Sequence, residues 1–215
     1  VSGPFFRLHQ GDILSSMVKI GLTGGAGAGK DEAARVLRSQ GAKIINADEI
    51  GHRLLEKDRA LQKKLVRTFG QEILGPEGKI DRKKLGTIVF GNKSKIRLLN
   101  RAIHPLMKRE FKREIAECRR KGIKIVVLNA AILFEAGWDK LVDRVILITA
   151  PEKLRIKRLL KKGIPLEKAL AIFSSQWSDE RKKRMADFVI NNDSSIADLK
   201  KKIMAIPVSR GVSNV

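Results

Sequence analysis

The 215-residue chain contains no tyrosine, one cysteine and six prolines, and its aromatics are eight phenylalanines and two tryptophans. With Cys118 alone, an intramolecular disulfide is impossible and a thiolate-based zinc site has no ligand set to draw on. So few rings leave little material for a platform on which nucleic-acid bases would stack. No apolar run approaches the roughly 18 residues that a membrane-spanning helix needs. Acidic residues are scarce beside basic ones: 23 Asp and Glu against 45 Lys and Arg, a formal charge of +22. That imbalance favours anionic partners such as nucleic acid, phosphorylated metabolites or acidic lipid, and has no bearing on fold. Residues 1–16 have neither the apolar segment nor the cleavage site of a secretory signal. They read as a disordered leader with Met17 as a natural start, and residues 207–215 read as a short fraying tail. A cytoplasmic protein is expected.

Hydrophobic residues at 43% and charged residues at 32% describe a chain that folds, and its length allows one substantial core. Five short runs rich in β-branched residues stand out: Val18–Thr23, Ala42–Asn46, Ile123–Leu128, Arg144–Thr149 and Phe188–Ile190. Their alternation with helical patterns predicts an α/β fold, a mainly parallel five-stranded sheet with helices on both faces. Runs such as KIVVLNA and RVILITA are almost continuously apolar, as strands covered on both sides are. Between the second and third runs lie roughly 75 residues without a good strand, with helical patterns at Leu61–Phe69, Arg82–Phe90 and Pro105–Arg120. This is too much for one crossover, and the segment from about 58 to 121 reads as an inserted helical lobe. A second helical excursion over about 152–186 is dense in cations: Lys153, Arg155, Lys157, Arg158, Lys161 and Lys162. A single domain over 17–206 carries both.

One motif carries chemistry. Gly24-Gly25-Ala26-Gly27-Ala28-Gly29-Lys30 follows the strand VKIGLT directly and leads into the helical pattern DEAARVLRSQ, with Gly41 as its C-terminal stop. This is the strand–GxxxxGK–helix arrangement of a P-loop. Glycines let successive N–H groups turn toward phosphate oxygens, the helix adds its positive end, and Lys30 adds a charge for the β/γ-phosphates. The Ser/Thr hydroxyl that usually meets Mg²⁺ after the lysine is replaced by Asp31. A carboxylate can ligate that ion, and it can equally complement the helix dipole; both readings stay open.

Several nucleotide-binding classes lack support. The only Asn-Lys pair, Asn92-Lys93, is followed by Ser94-Lys95, so the guanine-recognition motif NKxD is absent. Leu128-Asn129 offers no acidic pair of the kind that closes a strand in motor ATPases. A small kinase with an acceptor lobe and a basic lid remains.

Within that class the chain resembles the dephospho-CoA kinase family over about residues 18–203. The resemblance rests on GLTGGAGAGK, NADEIGHRLL after the second strand, GKIDRKKLGTIVF at Gly78–Phe90, His104-Pro105, ILFEAG at Ile132–Gly137, Arg158, Gln176 and ADFVINN at Ala186–Asn192, in the family's order. It implies the P-loop kinase fold and transfer of the ATP γ-phosphoryl group to the ribose 3′-hydroxyl of dephospho-CoA, with Mg²⁺ accompanying ATP. ATP would be held by Gly25, Ala26, Gly27, Ala28, Gly29, Lys30 and Asp31, by Arg158 from the lid, and by Asn192 near the base. Lys30, Asp48 and Arg158 would be the catalytic residues.

The family pattern Asp-Ala-Asp reads Asn46-Ala47-Asp48 here, and the second acid is the one placed near the acceptor hydroxyl. A carboxylate there can take or orient the hydroxyl proton, and it can also cap a helix beginning near Glu49. His52, one turn after Asp48, and His104 are further acceptor-site candidates, each with a purely structural alternative. Three departures stand out: Asn129 for a usual Asp, Ala131 for a usual Pro, and Ile172 for an Arg four residues before Gln176. Asp31 would then supply the metal-positioning charge that Asn129 lacks. Competing readings are another small P-loop nucleoside or nucleotide kinase, and a nucleic-acid-binding P-loop protein. Nucleic acid is disfavoured because the cations are dispersed among acids, as in Lys108-Arg109-Glu110, rather than gathered in a binding motif. No obligate protein partner is inferred.

Overall fold

The computed structural model describes residues 17–207. The expected leader, 1–16, lies outside the described residues, as does the expected tail after Pro207. The described chain divides into two compact units, one running up to Ile45 and resuming at Glu114, the other spanning Asn46–Arg113. The second unit begins and ends earlier than the 58–121 read from the sequence.

In the first unit the apolar runs become strands: β1 (Val18–Thr23), β2 (Lys43–Asn46), β3 (Ile125–Asn129), β4 (Arg144–Thr149) and β5 (Phe188–Asn191). They form one sheet in the order β2-β3-β1-β4-β5. The β1–β3, β1–β4 and β4–β5 pairings are all parallel. Helix α1 (Lys30–Ser39) and the last helix, α9 (Ile196–Met204), contact each other and share a face of the sheet. There Ile20, Leu22, Val127, Ile146 and Ile148 meet Ala33, Leu37, Leu199 and Ile203 in one buried cluster. Alternation puts Gly21 on the opposite face, where an added Cβ would stand 2.6 Å from Leu133. The cation-rich excursion is three helices: α6 (Glu152–Lys161), α7 (Leu166–Ser175) and α8 (Asp179–Lys183).

The second unit is built from α2 (Ala47–Lys57), α3 (Arg59–Phe69), α4 (Arg82–Val89) and most of α5 (Lys93–Arg120). Short polar side chains set the starts of its helices. Asn46, Asp58 and Asp81 accept from the first-turn N–H groups of α2, α3 and α4. Two expectations are corrected here. Helix α2 begins at Ala47, and Asn46, not Asp48, is its cap; the Asn46 side chain accepts from Asp48 N–H at 3.0 Å. Pro105 does not begin a helix: it lies inside α5, which starts twelve residues earlier. That start is fixed by Asn92, whose side chain accepts from Lys95 N–H at 3.0 Å. Pro105 removes one N–H from the ladder, and 28 residues of helix absorb the loss.

Candidate active site

The phosphate loop connects β1 to α1. Gly29 precedes the helix in the left-handed region (φ 96°), and no side chain caps the first turn of α1. The leading N–H groups of the helix are therefore directed at whatever lies ahead of them, with the positive end of the helix dipole behind. Lys30 is only 11% exposed, and its Nζ donates to Asn129 Oδ1 at 2.8 Å and lies 3.4 Å from Asp31 Oδ1. Parallel pairing of β1 with β3, in which Leu22 faces Asn129, places that amide beside the loop. Burial pushes the Asp31 carboxyl up, but the Lys30 charge and hydrogen bond, with Lys162 and Asn129, hold it below the ordinary carboxylate range. Asp31 is thus an ionised carboxylate, 61% exposed, at the helix entrance.

Arg158, on α6, reaches the same loop. Its guanidinium donates to the carbonyls of Gly27 (3.3 Å), Ala28 (3.4 Å) and Asn192 (3.0 Å). Asn192 is buried just past β5, and its side-chain N–H donates to the Ala28 carbonyl at 2.8 Å. A Cβ on Gly29 would collide with that amide. Asn192 therefore braces the loop. Gly25, Ala26, Gly27, Ala28, Gly29, Lys30, Asp31, Arg158 and Asn192 are brought together within the first unit.

The remaining candidates belong to the second unit. Asp48 is exposed in the first turn of α2, and His52 is exposed one turn later. Burial and Arg82 hold the His52 imidazole below its ordinary value, against the pull of Asp48 and Glu49. His104 lies half-buried on α5, and burial lowers its pKa as well. Among the described residues, no cluster of three or more His, Cys, Asp or Glu forms a metal cage, and no helix is long and apolar enough to cross a membrane.

The family model for dephospho-CoA kinase matches residues 18–198. The chain belongs to the dephospho-CoA kinase family. A dephospho-CoA kinase of Dehalococcoides mccartyi is 41% identical over 192 residues, covering 89% of this chain and 96% of the relative. That of Carboxydothermus hydrogenoformans is 40% identical, covering 87% and 91%. Among solved structures, the dephospho-CoA kinase from Campylobacter jejuni superposes with a TM-score of 0.64 at 31% identity, covering 86% of this chain and 92% of its own. The fold is that of a P-loop kinase, as expected.

Within this dephospho-CoA kinase framework, three features escape a linear reading. Gln176, a family-pattern residue given no role above, accepts from Ala26 N–H in the loop at 3.1 Å. Arg155, one cation among many in sequence, donates to the Ala26 carbonyl. Lys182 is fully buried, bonded to the Ala131 carbonyl at 2.9 Å and paired with Glu135 at 2.9 Å. Only the cation density and the family position of Gln176 hinted at any of them. A cavity of about 640 Å³ is lined by Thr149, Arg155, Phe173, Trp177, Asp179 and Asn191 among others; no residue of the phosphate loop lines it.

Proposed function

We propose that the chain transfers the terminal phosphoryl group of ATP to the ribose 3′-hydroxyl of dephospho-CoA, giving CoA and ADP. The observation that carries this reading is the family match over residues 18–198, on a chain that keeps Lys30, Asp48 and Arg158. Phosphoryl transfer proceeds through a loose transition state whose charge spreads over the equatorial oxygens, so positioning and charge neutralisation dominate. Loop N–H groups and the α1 terminus take the phosphates, and Lys30 exchanges Asn129 for a phosphate oxygen. Arg158 exchanges its long contacts to loop carbonyls for phosphate, where a planar, permanently charged donor binds best. Asp48 accepts the proton of the attacking hydroxyl. His52 and His104 line the acceptor side.

Magnesium suits this entrance, because the ion takes one or two carboxylates plus phosphate oxygens rather than an all-protein cage. Asp31, ionised and exposed beside Lys30, fits that donor set and would hold it. When bound, Mg²⁺ neutralises charge on the β- and γ-oxygens. A cytoplasmic setting accompanies this reading.

The test is ADP release in a coupled assay with dephospho-CoA, nucleosides and nucleoside monophosphates as acceptors. Dephospho-CoA should be the preferred acceptor. Lys30→Ala and Asp48→Asn should each lower kcat/KM by roughly 100-fold or more while remaining folded. ADP release no faster with dephospho-CoA than with buffer would overturn the proposal.

A further inference from the structure

Arg155 and Gln176 take hold of one residue of the phosphate loop from both sides. Gln176 Oε1 accepts from Ala26 N–H at 3.1 Å, and Arg155 Nε donates to the Ala26 carbonyl at 2.9 Å. The guanidinium is itself fixed: Nη1 pairs with Asp179 at 3.3 Å, and Cζ lies over the Phe173 ring, 4.3 Å from its centroid. Both partners of the ion pair are largely buried, with side chains 12% and 15% exposed. One side chain of α6 thus joins Phe173 of α7 and Asp179 of α8 to the middle of the loop. The loop is shaped to receive it. A Cβ on Gly25 would collide with the guanidinium, and one on Gly27 would stand 2.6 Å from the Arg155 carbonyl.

A peptide group is planar and trans, so its C=O and N–H point in opposite directions. Fixing the Ala26 carbonyl on Arg155 therefore turns the Gly27 N–H away from the lid helix. Fixing the Ala26 N–H on Gln176 turns the Gly25 carbonyl the other way, where it accepts from Ala28 N–H at 3.1 Å and closes the loop's turn. Ala26 is flanked by Gly25 and Gly27, the residue type that crosses most easily between backbone regions. A reversed peptide here would present a carbonyl oxygen to an anion. We propose that Arg155 and Gln176 are positioning residues: Gln176 locks the Gly25–Ala26 peptide into the loop's turn, and Arg155 keeps the Ala26–Gly27 peptide with its N–H toward the phosphates, neither touching the nucleotide itself. This inference rests on the kinase reading above.

The test is direct ADP binding by calorimetry, steady-state kinetics for each substrate, and hydrogen exchange over residues 24–30. Arg155→Lys keeps the charge but lacks the planar fork whose separate nitrogens reach Ala26 and Asp179 and whose face stacks on Phe173. Gln176→Met keeps bulk and deletes the acceptor. Each should weaken ADP binding and raise KM for ATP by roughly 10-fold, the worth of one charge-assisted or buried hydrogen bond. KM for dephospho-CoA should stay unchanged, and exchange in the loop should quicken. Wild-type ADP affinity in Gln176→Met, or equal rises in both KM values, would overturn the proposal. If Arg155→Lys does not fold, Gln176→Met decides alone. Wild-type turnover of dephospho-CoA judges the function; the variant-to-wild-type ratio in ADP binding judges this inference.

Discussion

Lys30 rests between a neutral amide, Asn129, and an exposed carboxylate, Asp31. In this chain, then, the carboxylate beside the loop lysine comes from α1, and the end of β3 offers a neutral amide. Asp31→Ser should raise the Mg²⁺ concentration for half-maximal activity several-fold, and weaken the Mg²⁺ dependence of ADP binding measured without acceptor. Unchanged titrations would leave Asp31 as a helix-dipole partner only. The glycines, Lys30 and Asp31 were legible because a P-loop is contiguous. The Lys30–Asn129 bond was not, since it depends on a β1–β3 register that no local pattern encodes. A second residue-scale consequence concerns His104. Burial holds its folded-state pKa below the unfolded value of about 6.5, so the unfolded chain takes the proton first as pH falls. The stability tied to the neutral ring is complete above about pH 6.5 and is lost below it. Urea midpoints compared at pH 7.0 and 5.5 should fall less in His104→Gln than in wild type. Equal falls would assign the loss elsewhere.

Helix starts in the second unit are set by single side chains. Asn46→Ala leaves the first turn of α2 without its acceptor and should cost about 1 kcal/mol, whereas Asn46→Asp should be neutral or stabilising. Urea denaturation measures both, and an Ala variant as stable as wild type would reject the cap. The strands were legible within a residue or two because buried parallel strands are continuous apolar runs. The long α5 was read short because proline is common at the first position of a helix, while the cap that starts this helix, Asn92, carries no signal beyond its residue type. The lid read as a cation-rich helical stretch. Which cations turn inward is a property of how α6, α7 and α8 pack, so Arg155, fixed by Phe173 and Asp179, could not be told from Lys153 or Lys157.

The +22 charge of the whole chain is larger than its nucleotide chemistry uses. That figure already counts every acid, those in ion pairs such as Lys19–Asp143 at 2.9 Å and Arg144–Asp187 at 3.7 Å included. A surplus of this sign favours polyphosphate anions, and the field it sets up is screened within about 10 Å at 0.1 M salt. Raising NaCl from about 0.05 to 0.3 M should lower kcat/KM for both substrates several-fold with kcat little changed, and duplex DNA should not compete. A salt-independent kcat/KM would place the surplus charge away from the approach path. Gly25, Gly27 and Gly29 face Arg155 or Asn192, whose atoms occupy the space a side chain would need. The seven-residue loop is therefore no portable cassette. Grafted onto another strand–helix crossover, it would carry the full conformational entropy of its glycines and leave behind the walls that hold them in shape.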